Sequence, residues 1–333
     1  MSAGRPAAAP GRRRALAAIA SACWGAEPAA RAAPGFVQRP VRLVVPYSAG
    51  VGPDVVARSL ADRLAQRWGQ PVWVENKPGA SGIVAFAEVR RVPPDGHTLF
   101  VADTATLAVN PLVHATLPYD PARDLVPLTL LFQATFLLWV GGDSRLRSLA
   151  GLLEAARRAP GSVSYASLGN GHASQVAIET FARAAGVRLL HIPFRDAPAM
   201  LTAVAGGDVD FTAVSMHTVA GLAAQGRLRP LAVADGRRLS DHPEIPTIAE
   251  AGGPAVQMHP WAALVTVAGT PVAVLEQLIG DLAAVLAQPE LRERAGQAGF
   301  EITPSTPQML RERILADAAQ VGPLVSEGRI VRD

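Results

Sequence analysis

The chain of 333 residues contains one cysteine, Cys23, and one lysine, Lys77. A single thiol excludes intrachain disulfides, CxxC redox chemistry and cysteine-rich zinc sites. Arginine supplies almost all the positive charge in an alanine-rich chain, which reads as coding bias rather than recognition chemistry. Charged residues make up only 18% and aromatics 5%, against 49% apolar, so the chain is neither disordered nor highly charged. Past the N-terminus there is no uninterrupted apolar run of about 18 residues, the length a bilayer-spanning helix needs. Nucleotide and hydrolase signatures are missing too: no G-x-x-x-x-G-K-[ST], no G-x-S-x-G and no H-E-x-x-H. Gly50-x-Gly52-x-x-Val55 lacks the third small residue of a dinucleotide fingerprint, and Pro53 removes a donor. The seven histidines show no ligand spacing, so neither a metal nor a cofactor is expected.

The charge that is present is unevenly placed. Arg5, Arg12, Arg13, Arg14 and Arg31 face only Glu27 within residues 1–33, leaving the rest of a +3 chain at one unit negative. A nucleic-acid partner therefore loses its electrostatic basis. The order of that leader is a basic cluster, a short apolar run from Ala15 to Cys23, and small residues with A-x-A-like options such as Ala30-Arg31-Ala32. This is the order of a secretory signal, and the paired arginines leave a twin-arginine route open. Residues 1–33 are expected to be cleaved, placing the mature chain in the periplasm.

From there, strand-like runs alternate with helical patterns, which argues an α/β fold. Val41–Pro46 reads as a buried strand, and Val56, Leu60, Leu64 and Trp68 form an apolar stripe on a helix over 55–68. Strands are expected at 72–75 and 97–103 with a helix near 81–91 between them. The second half repeats the grammar: strands near 136–141, 165–168, 189–194, 209–215 and 231–234, helices over 148–159, to about 185, and over 197–206. Trp261–Val267 is the last clear strand, and helices follow over 272–288, 290–298 and 307–321.

Two glycine-containing strand-to-helix loops carry the functional signal, YSAGVGPD (47–54) and SLGNGHAS (167–174). Such loops aim backbone N–H groups at whatever lies above a helix N-terminus, where the dipole is positive, and so suit a carboxylate or phosphate. Gly50, Gly52, Gly169 and Gly171 permit close backbone approach. Ser48, Thr104, Thr106, Ser167 and Ser174 add hydroxyl donors. In open α/β sheets ligands bind beyond the carboxyl ends of the strands. Two such loops in separate halves suggest two lobes gripping one anion.

At these residues the sequence resembles the Bug-type receptors of tripartite tricarboxylate transporters. The resemblance runs from about Arg39 to Val325 through RPVRLVVPYSAGVGPDVVARSLADRL (39–64), GQPVWVENKPGASG (69–82), PDGHTLFVADTATLAVNP (94–111) and LPYDPARDL (117–125). It continues through PGSVSYASLGNGHAS (160–174), HIPFRDAPAMLTAVAGGDVDF (191–211), GRLRPLAV (226–233) and PTIAEAG (246–252). It implies a two-lobed periplasmic-binding-protein fold of type II with two chain crossovers. Lobe 1 would comprise 34–135 and the return segment with C-terminal helices, 256–333; lobe 2 would be 136–255. It also implies a small organic carboxylate ligand, delivered to membrane permease subunits without covalent chemistry.

On the same resemblance, Tyr47, Ala49, Gly50, Gly52 and Asp54 would cradle a carboxylate. Thr104, Thr106 and the Ser167–Ser174 loop would add contacts, and Ser215 with its neighbours Val214, Met216 and His217 would face the distal end. The first loop departs from the family pattern at Val51, where relatives have a second glycine, and at Pro53, where they have a threonine, so that one N–H and one hydroxyl are lost. His172 and Arg195 also depart from it. Asp54 can polarise a bound water or cap the first helix, and the two are compatible. Arg195 is either a carboxylate clamp or a surface partner of Asp196. His172 and Asn170 either touch ligand or cap the following helix. Tyr47 and Trp261 can form aromatic walls, although Trp261 opens an apolar strand and reads as core. His217 and His259 read as structural. The rival functions are a secreted hydrolase, which needs a nucleophile–base pair, and a ligand-presenting sensor subunit.

Overall fold

The computed structural model describes residues 1–4 and 35–332. The expected leader therefore lies almost wholly outside the described residues. From Phe36 onward the chain builds two sheets, each sandwiched by helices. The first is laid down by β1 (Val41–Val45), β2 (Val72–Asn76), β3 (Thr98–Asp103) and β4 (Leu125–Gln133). Between these strands run α1 (Gly52–Trp68), α2 (Ile83–Val89) and the short α3 (Asn110–Val113) and α4 (Pro121–Asp124). The chain then crosses to a second sheet built from β5 (Leu137–Gly141), β6 (Ser164–Ser167), β7 (Leu190–Pro193), β8 (Phe211–Val214) and β9 (Leu228–Val233). Its helices are α5 (Leu149–Arg158), α6 (Ala173–Ala184), α7 (Ala197–Gly206) and α8 (Met216–Ala224). It returns through β10 (Trp261–Val267), α9 (Val272–Leu286), α10 (Pro289–Gln297), β11 (Glu301–Ile302) and α11 (Pro307–Ser326).

The strand orders are β11-β4-β10-β3-β1-β2 and β7-β6-β8-β5-β9. Each sheet has a parallel core (β3-β1-β2 and β7-β6-β8) and one strand inserted antiparallel, the returning β10 in the first sheet and the entering β5 in the second. The two crossing segments run side by side between the sheets. Ala134 N–H donates to Pro260 O at 2.9 Å, Phe136 N–H to Met258 O at 3.1 Å and Met258 N–H to Ala234 O at 3.0 Å. This paired ribbon is the type II arrangement, a hinge with two strands.

Local chemistry accounts for most element ends. Pro53 sits in the first turn of α1, and Gly69 closes that helix in the left-handed conformation at φ 63°. Ser148 caps α5 by accepting from Gly151 N–H, and Asp196 caps α7 by accepting from Ala199 N–H. The helical stripe of α1 is the core anticipated, with Val56, Leu60 and Leu64 buried against β1, β3 and α9. Trp68 ends that stripe half-buried, its indole N–H donating to Asp281 Oδ2 at 2.7 Å.

Three departures from the sequence pattern have identifiable causes. β4 is a nine-residue strand that the sequence pattern does not announce, because Pro127 interrupts LVPLTLLFQ. The proline pairs with Val265 at a register shift, the irregular position where a strand tolerates a missing N–H. α8 replaces an expected loop after residue 215. The helix expected near 81–91 begins instead with a 3₁₀ turn at Ala80–Gly82, in which Ala80 and Ser81 take φ of 45° and 48°. That conformation is costly for residues with a Cβ. Bonds from Asn110 Nδ2 (2.9 Å) and Thr106 Oγ1 (3.4 Å) to Ser81 O hold it in place.

Candidate functional site: the cleft between the two glycine loops

The carboxyl ends of β1 and β3 in the first sheet, and of β6 and β8 in the second, open toward the same interlobe cleft. Gly171 shows how close the lobes stand: a Cβ added there would lie 3.1 Å from Val113 Cγ2 and 3.5 Å from Val109 Cγ1. His217 at the start of α8 lies equally tight on Gly299 beyond α10, where an added Cβ would sit 2.7 Å from His217 Cβ. A groove of about 470 Å³ runs along this contact, lined by Gly50, Gly52, Val55, His217 and Arg294 among others. A second cavity of about 530 Å³ continues toward the hinge past Ser215, Asp235 and Arg237.

In the first loop, Asp54 is buried to 1% exposure, yet it is not the N-cap; Val51 is, without a side-chain bond. Asp54 reaches back from the first turn. Its Oδ2 accepts from Gly50 N–H (2.8 Å) and Arg58 Nε (2.9 Å), and its Oδ1 from Asn76 Nδ2 (2.7 Å). Burial pushes its pKa up, but hydrogen bonds from Arg58, Asn76 and Gly50 and the Arg58 charge outweigh this and hold it below the ordinary value. Of the two roles open to Asp54, its contacts fill the one that braces the turn. They also withdraw Gly50 N–H from any ligand. Ser48 and Ala49 are exposed at the tip, and Gly52 packs its Cα edge under Phe300.

The β3 end adds a tight polar knot. Asp103 accepts from Tyr47 Oη at 2.8 Å, and from Thr106 N–H and Oγ1, both at 2.8 Å. Burial, reinforced by Asp103, pushes the Tyr47 phenol well above its usual pKa, so it stays a donor. Thr104 turns away from the cleft, its hydroxyl bonding Trp261 N–H and O, each at 3.3 Å. Trp261 is core at 2% exposure, with its indole N–H on Asp317 Oδ2.

In the second loop, His172 is the N-cap of α6. Its Nδ1 accepts from Ser174 N–H (3.1 Å) and from Ser174 Oγ (2.8 Å). An Nδ1 that accepts leaves the proton of a neutral ring on Nε2, the nitrogen left for the cleft. Burial lowers the His172 pKa despite the opposing pull of Asp103 across the cleft, so the neutral form dominates at pH 7. Gly169, at φ 109°, takes a backbone conformation few other residues adopt. Asn170 Nδ2 donates to Val331 O at 2.8 Å, tying the loop to the C-terminal tail. Ser215 opens α8 and shares a hydrogen bond with Thr218 at 2.9 Å. Arg195 is exposed on the loop before α7, and Asp196 spends its carboxylate on the helix cap.

One pair has the spacing of a nucleophile and its base: Ser167 Oγ lies 2.7 Å from His191 Nε2. Its protonation pattern is wrong for that task. Gly171 N–H donates to Gln175 Oε1 (2.7 Å), which turns the Gln175 amide nitrogen toward His191 Nδ1 (3.1 Å). Nδ1 must accept, Nε2 carries the proton, and Ser167 becomes an acceptor from the ring. A histidine locked in this tautomer cannot take the serine proton, the defect that an amide in place of the triad carboxylate produces. Gln175 and His191 escaped the sequence reading because no motif spacing joins them. The parallel register of β6 and β7, with Tyr165 opposite His191, sets His191 beside Ser167, and α6, which follows β6, carries Gln175 over it.

The chain belongs to the family described as the tripartite tricarboxylate transporter family receptor, whose profile matches residues 56–329. Among solved structures it is similar to Rpa4515 of R. palustris with adipate, at 30% identity and a TM-score of 0.79, over 89% of this chain and 99% of that one. It is similar also to MatC from Rhodopseudomonas palustris with bound malate, at 26% identity and a TM-score of 0.75, covering 87% and 99% of the two chains. The periplasmic binding protein BugD matches at 28% identity and a TM-score of 0.75, covering 89% and 99%. The protein is thus a solute receptor of two α/β lobes, with the periplasmic-binding-protein fold that the resemblance implied.

Proposed function

We propose that this chain is exported to the periplasm, closes its lobes on a small organic carboxylate and presents it to the membrane subunits of a tripartite tricarboxylate-type transporter. The observation that carries the reading is that the two glycine loops, each at a helix N-terminus in its own sheet, flank one cleft: His217 of the second sheet lines a groove with Gly50 and Gly52, and Asp103, bonded to Tyr47, acts electrostatically on His172. Oriented N–H groups and helix dipoles favour an anion there. Arg294 adds positive charge beside the first loop. Adipate and malate, bound by the structural relatives, are both dicarboxylates, one end of which suits each lobe. Contacts are assigned to Tyr47, Ser48, Ala49, Gly52, Thr106, Gly169, Gly171, His172 and Ser215. Asp54, Gly50, Thr104, Ser167, Asn170 and Ser174 shape the loops around them. Closure needs only that ligand bind the closed state better than the open one.

A thermal-shift screen of residues 34–333 against dicarboxylates and their diamides tests this. Ligand at 100 times its Kd stabilises by about 2.7 kcal/mol, a rise of several degrees in Tm. Shifts with the acids and none with the diamides are expected. A folded protein that responds to neither, or to both alike, would overturn the carboxylate reading.

A further inference from the structure

The chain of bonds behind the second loop is a protonation-sensitive brace. We infer that His191 and Gln175 are positioning residues that couple the protonation of one partly buried imidazole to the backbone of the ligand loop at Gly171. The orientation of the whole chain follows from one unambiguous donor. Gly171 N–H can only donate, so Gln175 presents Oε1 to it and Nε2 to His191 Nδ1. His191 Nε2–H then donates to Ser167 Oγ, and Ser167 donates to Gly169 O at 3.2 Å. Both ends of the Gly169–Gly171 turn are held by one neutral imidazole.

Protonating His191 makes both ring nitrogens donors. Nδ1–H then faces the Gln175 amide nitrogen, donor against donor. The conflict is relieved by an amide flip that offers Oε1 to the ring, and the flip sets the amide nitrogen against Gly171 N–H. One proton on the ring therefore costs either the contact between the ring and Gln175 or, once the amide flips to give the charged ring an acceptor, the bond to Gly171; the flip carries the effect to the loop. Gln175 is 2% exposed, which leaves it little freedom to evade the choice.

The charged and titratable neighbours do not cancel the effect. Tyr165, on the adjacent strand, stacks on His191 with ring centroids 5.0 Å apart and 21° between planes. Its hydroxyl donates to Glu179 Oε1 at 2.7 Å. Glu179, on α6, is 4% exposed, and its other oxygen is paired with Arg329 at 3.3 Å. The one carboxylate behind the ring is thus already matched by a guanidinium. Burial lowers the His191 pKa, so the brace is intact at pH 7 and releases on acidification below the ordinary histidine range.

The effect on ligand rests on the receptor reading above; the coupling itself does not, and the experiment separates them. In the ¹⁵N-labelled full mature chain without ligand, His191 is expected as the Nε2–H tautomer at pH 7.5. The Gly171 amide resonance should shift with the same midpoint as the ring. Gln175→Glu supplies an acceptor to both partners: the His191 midpoint should rise by more than one pH unit, and Gly171 should keep its hydrogen-bonded shift throughout. If that variant fails to fold, His191→Gln should make the Gly171 resonance independent of pH from 7.5 to 5. A Gly171 signal that ignores the His191 titration, or a proton found on Nδ1, would overturn the inference. With adipate as probe, the wild-type affinity relative to Gln175→Glu should fall at least tenfold from pH 7.5 to 5. The ratio cancels the ionisation of adipate itself. A flat ratio with the coupling present would overturn the effect on ligand while leaving the coupling standing. Absence of adipate binding in both proteins at every pH would count against the choice of a dicarboxylate, not against the coupling.

Discussion

The two glycine loops occupy equivalent places at the carboxyl ends of strands in opposite sheets, yet they are held by different means. The first is braced from within its own helix by a carboxylate: Asp54 gathers Gly50 N–H, Arg58 and Asn76. The second is braced from behind by neutral groups, through Gln175, His191 and Ser167, and from outside by the C-terminal tail at Val331. A carboxylate brace depends on charge and buries it beside the ligand. A neutral relay keeps extra negative charge out of the second loop and lets it respond to acidification through its imidazole. Tandem use of one local motif therefore does not mean equal mechanics on the two sides of the cleft.

The largest expected effect comes from breaking the first brace. Asp54→Ala leaves the half-buried Asn76 amide and the Gly50 N–H without this acceptor, and each hydrogen bond to a charged group is worth roughly 1.5–3 kcal/mol. A loss of about 3 kcal/mol, lowering Tm by roughly 5 °C, is expected in calorimetry. The pH dependence follows from the depressed pKa of Asp54. The unfolded chain binds the proton more readily, so the stabilisation is complete above the ordinary carboxylate range and is lost as pH falls through the folded value. Wild type should therefore lose its advantage over the variant below about pH 4. An unchanged Tm, or an advantage that persists in acid, would count against the carboxylate brace.

Closing the lobes on each other comes next. Gly299 takes φ 83° and lies directly under His217, so Gly299→Ala places a methyl group in the space His217 occupies on closure. About tenfold weaker adipate binding is expected, roughly 1.4 kcal/mol, with a larger radius of gyration for the ligand-bound protein by X-ray scattering. The double change Gly299→Ala, His217→Ala should recover most of the affinity. Wild-type affinity in the single variant would show that closure does not pass through this contact.

What could be read from sequence divides along the same line as the two braces. Local grammar announced its elements well: α7 and β10 fall where the helical and strand patterns placed them, because each is bounded by its own cap or turn and carries one clean period. The glycine loops were visible for the same reason. Contacts made by register and crossing were not. Tyr47 meets Asp103 because β1 and β3 pair, His191 meets Ser167 because β6 and β7 pair, and Pro127 hid a strand whose partners lie more than a hundred residues away. Hence the glycine loops were nameable in advance, while much of what braces them needed the sheet.

The smallest effect tests the outer hold on the second loop. Asn170→Ala removes one hydrogen bond to Val331 O at an exposed position, where water replaces the lost partner. Less than about 0.5 kcal/mol of global stability should go with it. The local consequence is larger than the global one, because Arg329 remains anchored on Glu179 and Glu327 while Val331 and Arg332 lose their tie to the loop. Amide exchange at residues 331–332 should accelerate severalfold, with exchange at Gly171 unchanged, since that N–H belongs to the inner relay. Equal acceleration at both places would mean that tail and relay act as one brace and that the second loop, like the first, has a single point of failure.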